Sequence, residues 1–192
     1  MSHSIHTTRG YILEVIPVGE ADKDVIIATE SHGILRMRLA GNRKITSKMR
    51  MHVERFAEVT VSMVEGRIWR VTGLSKNNSS PFWQHDVLIT VMHRISKMII
   101  KLHQGQQEDA HIVELFDLII ATDSKLILDH VSCFEIWCMI SVLRIYGYWD
   151  DESFIIAEII NPDVLDYIEQ HKKQLIAQIN TALHDSQLVH TR

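Results

Sequence analysis

The sequence predicts an α+β fold, with an N-terminal five-stranded β-barrel followed by a C-terminal α-helical bundle. Three observations carry this expectation. Up to about residue 76 the chain consists of short β-branched or alternating runs broken by glycine, as half-buried strands do. Beyond residue 81 the apolar residues recur at helical spacing. The charge also changes sign between the two parts. Through Asn78 there are 12 Lys and Arg against 8 Asp and Glu, and from Ser79 onward 8 against 16, within a formal net charge of -4. A basic part joined to an acidic part implies domains at 1–76 and 82–192, with different partners, joined by a linker at 77–81.

The strands follow in order. "TTRGYILEVIPVG" and "KDVIIATESHG" are β-branched runs, each stopped by a glycine. In "ILRMRLAG" strict alternation sets Ile34, Arg36 and Arg38 on one face and Leu35, Met37 and Leu39 on the other. "FAEVTVSMV" alternates likewise, with Ala57, Val59, Val61 and Met63 opposite Glu58, Thr60 and Ser62. "RIWRVTGL" follows a turn at Glu65-Gly66. Five short strands suit a small closed barrel, and the OB-fold is the commonest such barrel that binds nucleic acid.

"SKNNSSP", Ser75 to Pro81, is polar and turn-forming, and marks the change of pattern. The first helix then aligns Val87, Val91, Ile95, Met98, Ile99 and Leu102 and stops at Gly105. "EDAHIVELFDLIIAT" forms a second, with a turn beginning at Asp123-Ser124. "LDHVSCFEIWCMISVLRIYGY" forms a third, the most apolar, ending at Gly147. The last begins with Asn161 as N-cap and Pro162 at the first helical position.

The positive charge is concentrated between residues 35 and 56, where Arg36, Arg38, Arg43, Lys44, Lys48, Arg50 and Arg55 face a single acid, Glu54. Such residues can guard a solvated edge strand against aggregation. They can equally track a nucleic-acid backbone along a barrel strand and its following loop. Arg36, Arg38, Arg43, Lys44, Lys48 and Arg50 are the expected contacts to a nucleic-acid backbone. Tyr11, Phe56 and Trp69 are aromatic residues of the strands, and Trp69, beside Arg70, is the candidate for base stacking.

Several chemistries lack their residues. "GNRKITSK" has neither the second glycine nor the strand-to-helix context of a phosphate-binding loop. The sequence has no His-Glu-x-x-His and no Cys-x-x-Cys. His130, Cys133 and Cys138 could share a zinc, but the two cysteines lie in the most apolar helix and fit ordinary buried thiols better. No nucleophile elbow or reactive-cysteine signature is present, so no catalytic residue, metal or cofactor is expected. No apolar run is long enough to span a membrane, and Met1 to Arg9 has no secretory core. The two cysteines make no disulfide framework, and a cytoplasmic protein is expected.

The order of these segments resembles a known family, the bacterial DNA repair and recombination mediator RecO. Its first barrel turn, roughly Gly-Glu-x-Asp, is met by Gly19, Glu20 and Asp22. Its Thr-x-x-x-Gly is met by Thr29 and Gly33, with His32 before the glycine. A small residue and glycine, a basic pair and a Ser-basic step are met by Ala40-Gly41, Arg43-Lys44 and Ser47-Lys48, and the phenylalanine opening the fourth strand by Phe56. "FEIWCMISVLRIYGYW" resembles the helical segment ending in Leu-x-x-x-Gly-Tyr.

The resemblance implies an OB-fold, a helical C-terminal domain and a non-enzymatic role on single- and double-stranded DNA, annealing strands. It also implies partnership with RecR and single-stranded DNA-binding protein in loading the RecA recombinase. The acidic C-terminal tail of that binding protein would need a basic anchor in the bundle, for which Arg94, Lys97, Lys101 and Arg144 are the candidates. The sequence departs from the family in having no cysteine after Cys138, where many members carry a four-cysteine zinc module, and in Val18 at a frequent tyrosine. Zinc is therefore not carried over. The alternative is a protein-interaction adaptor of the same fold that has lost DNA activity.

Overall fold

The computed structural model describes residues 4–20, 22–40, 53–79, 84–103, 110–149 and 160–186. The chain forms two compact units, one of residues 1–80 with 105–113 and one of 81–104 with 114–192.

The first unit contains β1 (Ile5–Val18), β2 (Asp22–Thr29), β3 (Gly33–Leu39), β4 (Glu58–Val64) and β5 (Trp69–Asn78). They close in the order β1-β2-β3-β5-β4, so the barrel is an OB-fold, as expected. Closure depends on β1, whose first half pairs with β4 and whose second half pairs with β2. Gly10 lies where the two pairings overlap, Gly10↔Thr29 and Gly10↔Val59. A Cβ there would stand 2.1 Å from the Ala28 carbonyl oxygen, so only glycine lets the strands approach at this corner.

The alternation expected in β3 and β4 is present. Leu35, Met37 and Leu39 join Val59, Val61 and Met63 in a core that also includes Ile12, Val25, Ile27, Val71 and Leu74. Tyr11 and Phe56 are buried, as their size in a small barrel requires. Phe56 precedes β4 rather than opening it and has a positive φ of 63°. Its N–H donates to the Ile12 carbonyl at 2.7 Å, so β1 continues to be paired through this irregular backbone.

β5 extends through Asn77 and Asn78, two residues that composition alone assigns to a linker. Both are tied across the sheet, with the Asn77 and Asn78 side-chain amides donating to Glu58 at 3.3 and 2.7 Å. The Thr60 hydroxyl donates to Asn77 Oδ1. These bonds make strand residues of side chains that usually favour turns.

The helices are α1 (Asp86–Leu102), α2 (His111–Ala121), α3 (Ser124–Asp129), α4 (Val131–Ile145) and α5 (Pro162–Asp185). α1 buries Leu88 in place of Val87, which is 47% exposed. The expected turn at Asp123-Ser124 is the start of the short α3, because the Asp123 carboxylate accepts from the Lys125 N–H and caps it. α4 ends in a Schellman motif. Gly147 N–H donates to the Arg144 carbonyl and Tyr148 N–H to the Leu143 carbonyl, with Gly147 at φ 73°. Asn161 caps α5 by accepting from the Val164 N–H at 3.0 Å, with Pro162 following as expected. α4 packs on both α1 and α5, and buries Phe134, Trp137, Cys138 and Leu143.

Candidate nucleic-acid interface

Strand period places Asp22, Asp24, Arg36 and Arg38 on the outward side of β2 and β3. The register sets Asp24 opposite Arg38 and Ile26 opposite Arg36, so Asp24 has both guanidiniums within reach. Arg36 Nε donates to Asp24 Oδ2 at 3.0 Å, with its Nη2 at 2.9 Å, while Arg38 Nε donates to Oδ1. Asp22 Oδ2 lies 4.0 Å from Arg38 Nη1. The Asp24 carboxylate is 6% exposed, against 61% for the Arg36 side chain and 32% for Arg38. Burial works against ionisation of Asp24, but the hydrogen bonds from Arg38 and Arg36 outweigh it and hold its carboxyl below the ordinary value. The two arginines therefore share an outward face, and acids of β2 offset much of their charge.

β5 adds a cation that sequence order hides. It pairs with β3 in parallel, Met37↔Trp69 and Arg38↔Arg70, so Arg70 stands beside Arg38. Arg70 is exposed, as is Arg67 in the β4–β5 connection, and neither makes an ion pair among the described residues. Binding in OB-folds uses the β2–β3 face and the β4–β5 loop, the two places where these cations lie. Arg43, Lys44, Lys48 and Arg50 lie outside the described residues. Of the other barrel cations, Arg9 is engaged with Glu30 and Glu58, and Lys76 with Glu54.

Trp69 is half-buried against the barrel core and belongs to a cluster of three rings. Its ring centroid lies 5.6 Å from that of His6 and 5.7 Å from that of His32, and the two imidazoles are 5.1 Å apart, all edge to face. His6 comes from β1, His32 from the β2–β3 turn and Trp69 from the start of β5. Neighbours in sequence from two of these elements, Ile5 and Ile68, are 67% and 52% exposed. The sequence gives no sign of this grouping, since His6, His32 and Trp69 come together only when the barrel closes.

In the helical unit Arg94, Lys97 and Lys101 lie along one edge of a cleft of about 310 Å³, with Ile95, Met98, Met139 and Leu183 as its apolar walls. Helical spacing brings the three cations together. Arg94 makes a two-pronged pair with Glu135, at 2.6 and 2.7 Å. Arg144 is exposed near the end of α4 and does not line the cleft. Met139 and Leu183 are the walls that the linear sequence does not reveal.

Among the described residues, no group of three His, Cys, Asp or Glu could hold a metal ion. Cys133 donates to Glu169 Oε2 at 2.8 Å, and burial together with that carboxylate pushes its thiol up to about 11. Burial also raises Cys138. Both are protonated, unreactive thiols at neutral pH. No helix among the described residues is long and apolar enough to cross a membrane.

Residues 1–73 match the family described as "Recombination protein O N terminal". The chain is 28% identical over 119 residues to the DNA repair protein RecO of Gloeothece citriformis, covering 61% of this chain and 42% of that protein. To the RecO of a Synechococcus species it is 32% identical over 106 residues, covering 55% and 36%. A Bifidobacterium longum RecO is 34% identical over 64 residues, covering 33% and 27%. The matched segment thus spans less than half the length of each of these relatives. With its barrel in the strand order of an OB-fold and its first 73 residues matching this domain, the N-terminal part of the chain is similar to the N-terminal domain of the DNA repair and recombination protein RecO.

Proposed function

We propose that the chain is a recombination mediator. Its barrel binds the phosphates of single- and double-stranded DNA, anneals complementary strands and helps load recombinase onto single strands coated by their binding protein. The observation that supports this best is the continuity of Arg36, Arg38 and Arg70 on one outward face, with Arg67 beyond it in the β4–β5 connection. The basic segment carrying Arg43, Lys44, Lys48 and Arg50 follows β3 directly. Annealing requires only that two backbones be neutralised and held close, so the barrel needs no catalytic residue, metal or cofactor. DNA as the substrate fits a cytoplasmic protein.

The cleft of the helical unit fits a peptide that is acidic and apolar at once. Lys97 and Lys101 supply charge, while Met98, Met139 and Leu183 supply the apolar wall. The C-terminal tail of single-stranded DNA-binding protein has that chemistry, and the resemblance to RecO implies RecR as a second partner. A protein-binding adaptor is the alternative, favoured by one observation: Asp22 and Asp24 offset the charge of Arg36 and Arg38.

Binding of a labelled single-stranded oligonucleotide across a salt series tests the proposal. Three to six phosphate contacts give a log-log slope of roughly -2 to -4. Arg43→Ala/Lys44→Ala and Arg67→Ala/Arg70→Ala should each weaken binding and flatten the slope. Absence of binding at low salt would leave the adaptor.

A further inference from the structure

Three rings, those of His6, His32 and Trp69, meet at one end of the barrel strands. His6 stands opposite Met63 in the β1–β4 register and Trp69 opposite Met37 in the β3–β5 register, so both occupy interior-facing positions at one end of their strands. Aliphatic residues fill the rest of the interior. Here three rings from three separate segments meet edge to face, and all three remain partly exposed. Exposed Ile5 and Ile68 adjoin them in sequence. The segment Arg67-Ile68-Trp69-Arg70 alternates exposed cation, exposed apolar residue, partly exposed ring and exposed cation. Neither arginine has an acid partner among the described residues.

A surface for a protein's apolar anchor has no need of exposed cations on both sides of the ring in sequence. A surface for DNA phosphates alone has no need of exposed isoleucine. The two together match a strand whose backbone is charged and whose bases are free. We propose that His6, His32, Ile68 and Trp69 form a stacking platform for an unpaired nucleobase, with Arg67 and Arg70 engaging the flanking phosphates. This deepens the DNA-binding reading and rests on it. It also assigns a preference, because a base within a duplex is already stacked on both faces. The platform therefore selects single-stranded over double-stranded DNA.

The test compares the full chain binding an oligothymidylate with its binding of an abasic oligonucleotide of equal length, which keeps every phosphate and lacks the bases. One engaged base should favour the thymidylate by roughly 5- to 150-fold. His6→Ala/His32→Ala should reduce that ratio toward one and leave abasic binding unchanged. Ile68→Ser, at an exposed position of the β4–β5 connection, should reduce it as well, and serves as the second variant should the histidine pair destabilise the barrel. Equal binding of both oligonucleotides by the wild-type chain would overturn the platform while leaving phosphate binding intact. A preference unchanged in folded variants would place the stacked base elsewhere and overturn it too. Failure to bind either oligonucleotide would overturn the DNA-binding reading itself.

Discussion

Asp24 sets how much of the charge on the β2–β3 face a nucleic acid can feel. It receives Arg36 and Arg38 at once, and its burial means that neither water nor a third cation replaces them. A buried carboxylate between two half-free guanidiniums orients both of them and screens both. Replacing it by asparagine separates these effects. Asp24→Asn should lower stability at neutral pH by about 1–2 kcal/mol, since the guanidiniums lose their charged acceptor and its ion pairing while keeping access to solvent. The same change makes the face one unit more positive, so affinity for single-stranded DNA should rise. Urea unfolding and oligonucleotide binding on the same variant read the two effects separately. The pH dependence has a defined sign. The folded carboxyl titrates below its ordinary value, so its stabilisation is complete above about pH 4 and fades as pH falls through the lower folded value. The stability difference between wild type and Asp24→Asn should accordingly shrink in acid.

β1 shows why a barrel of this size depends on one strand. It pairs with β4 from Ile5 to Tyr11 and with β2 from Gly10 to Val18, so the sheet closes through a short overlap. Gly10→Ala forces a methyl group against the Ala28 backbone, which cannot rotate away as a side chain could, and should cost about 3 kcal/mol or more. A denaturant midpoint shift of that size, with the helical unit as internal reference, checks it. The same strand marks the limit of reading elements from sequence. β3 and β4 were legible because alternation has a period of two and their interior faces are uniformly apolar. Asn161-Pro162 and Gly147 were legible because a cap and a Schellman glycine act over only a few residues. Asn77 and Asn78 were not, because their strand character comes from Glu58 and Thr60 on another strand. The site followed the same rule. Arg36 and Arg38 share a face by local period, whereas the pairing of Arg70 with Arg38 and the meeting of His6, His32 and Trp69 require barrel closure.

The whole chain divides its charge so that its acidic part disfavours the polyanion proposed for its basic part. The segment through Asn78 is basic and the remainder acidic, with 8 Lys and Arg against 16 Asp and Glu from Ser79 onward. DNA is therefore disfavoured near most of the helical part, and an acidic peptide can bind there only where cations are gathered. Arg94, Lys97 and Lys101 provide that exception. Arg94 is already committed to Glu135, which leaves Lys97 and Lys101 as the charges a peptide would meet. Reversing both should separate the two activities. Lys97→Glu/Lys101→Glu should weaken binding of an acidic, apolar-ended peptide about tenfold or more, with the larger loss at low salt, where steering is strongest. Both lysines are exposed, so the fold should be unaffected. Oligonucleotide affinity and its salt slope should change little, because the charges that set them lie in the barrel. Peptide and oligonucleotide titrations on one preparation make the comparison. If both affinities fell together, the two parts would act as one electrostatic surface and the division of labour would be wrong. Loss of the peptide alone would mean that the acidic half recruits a partner while the basic half holds the strand.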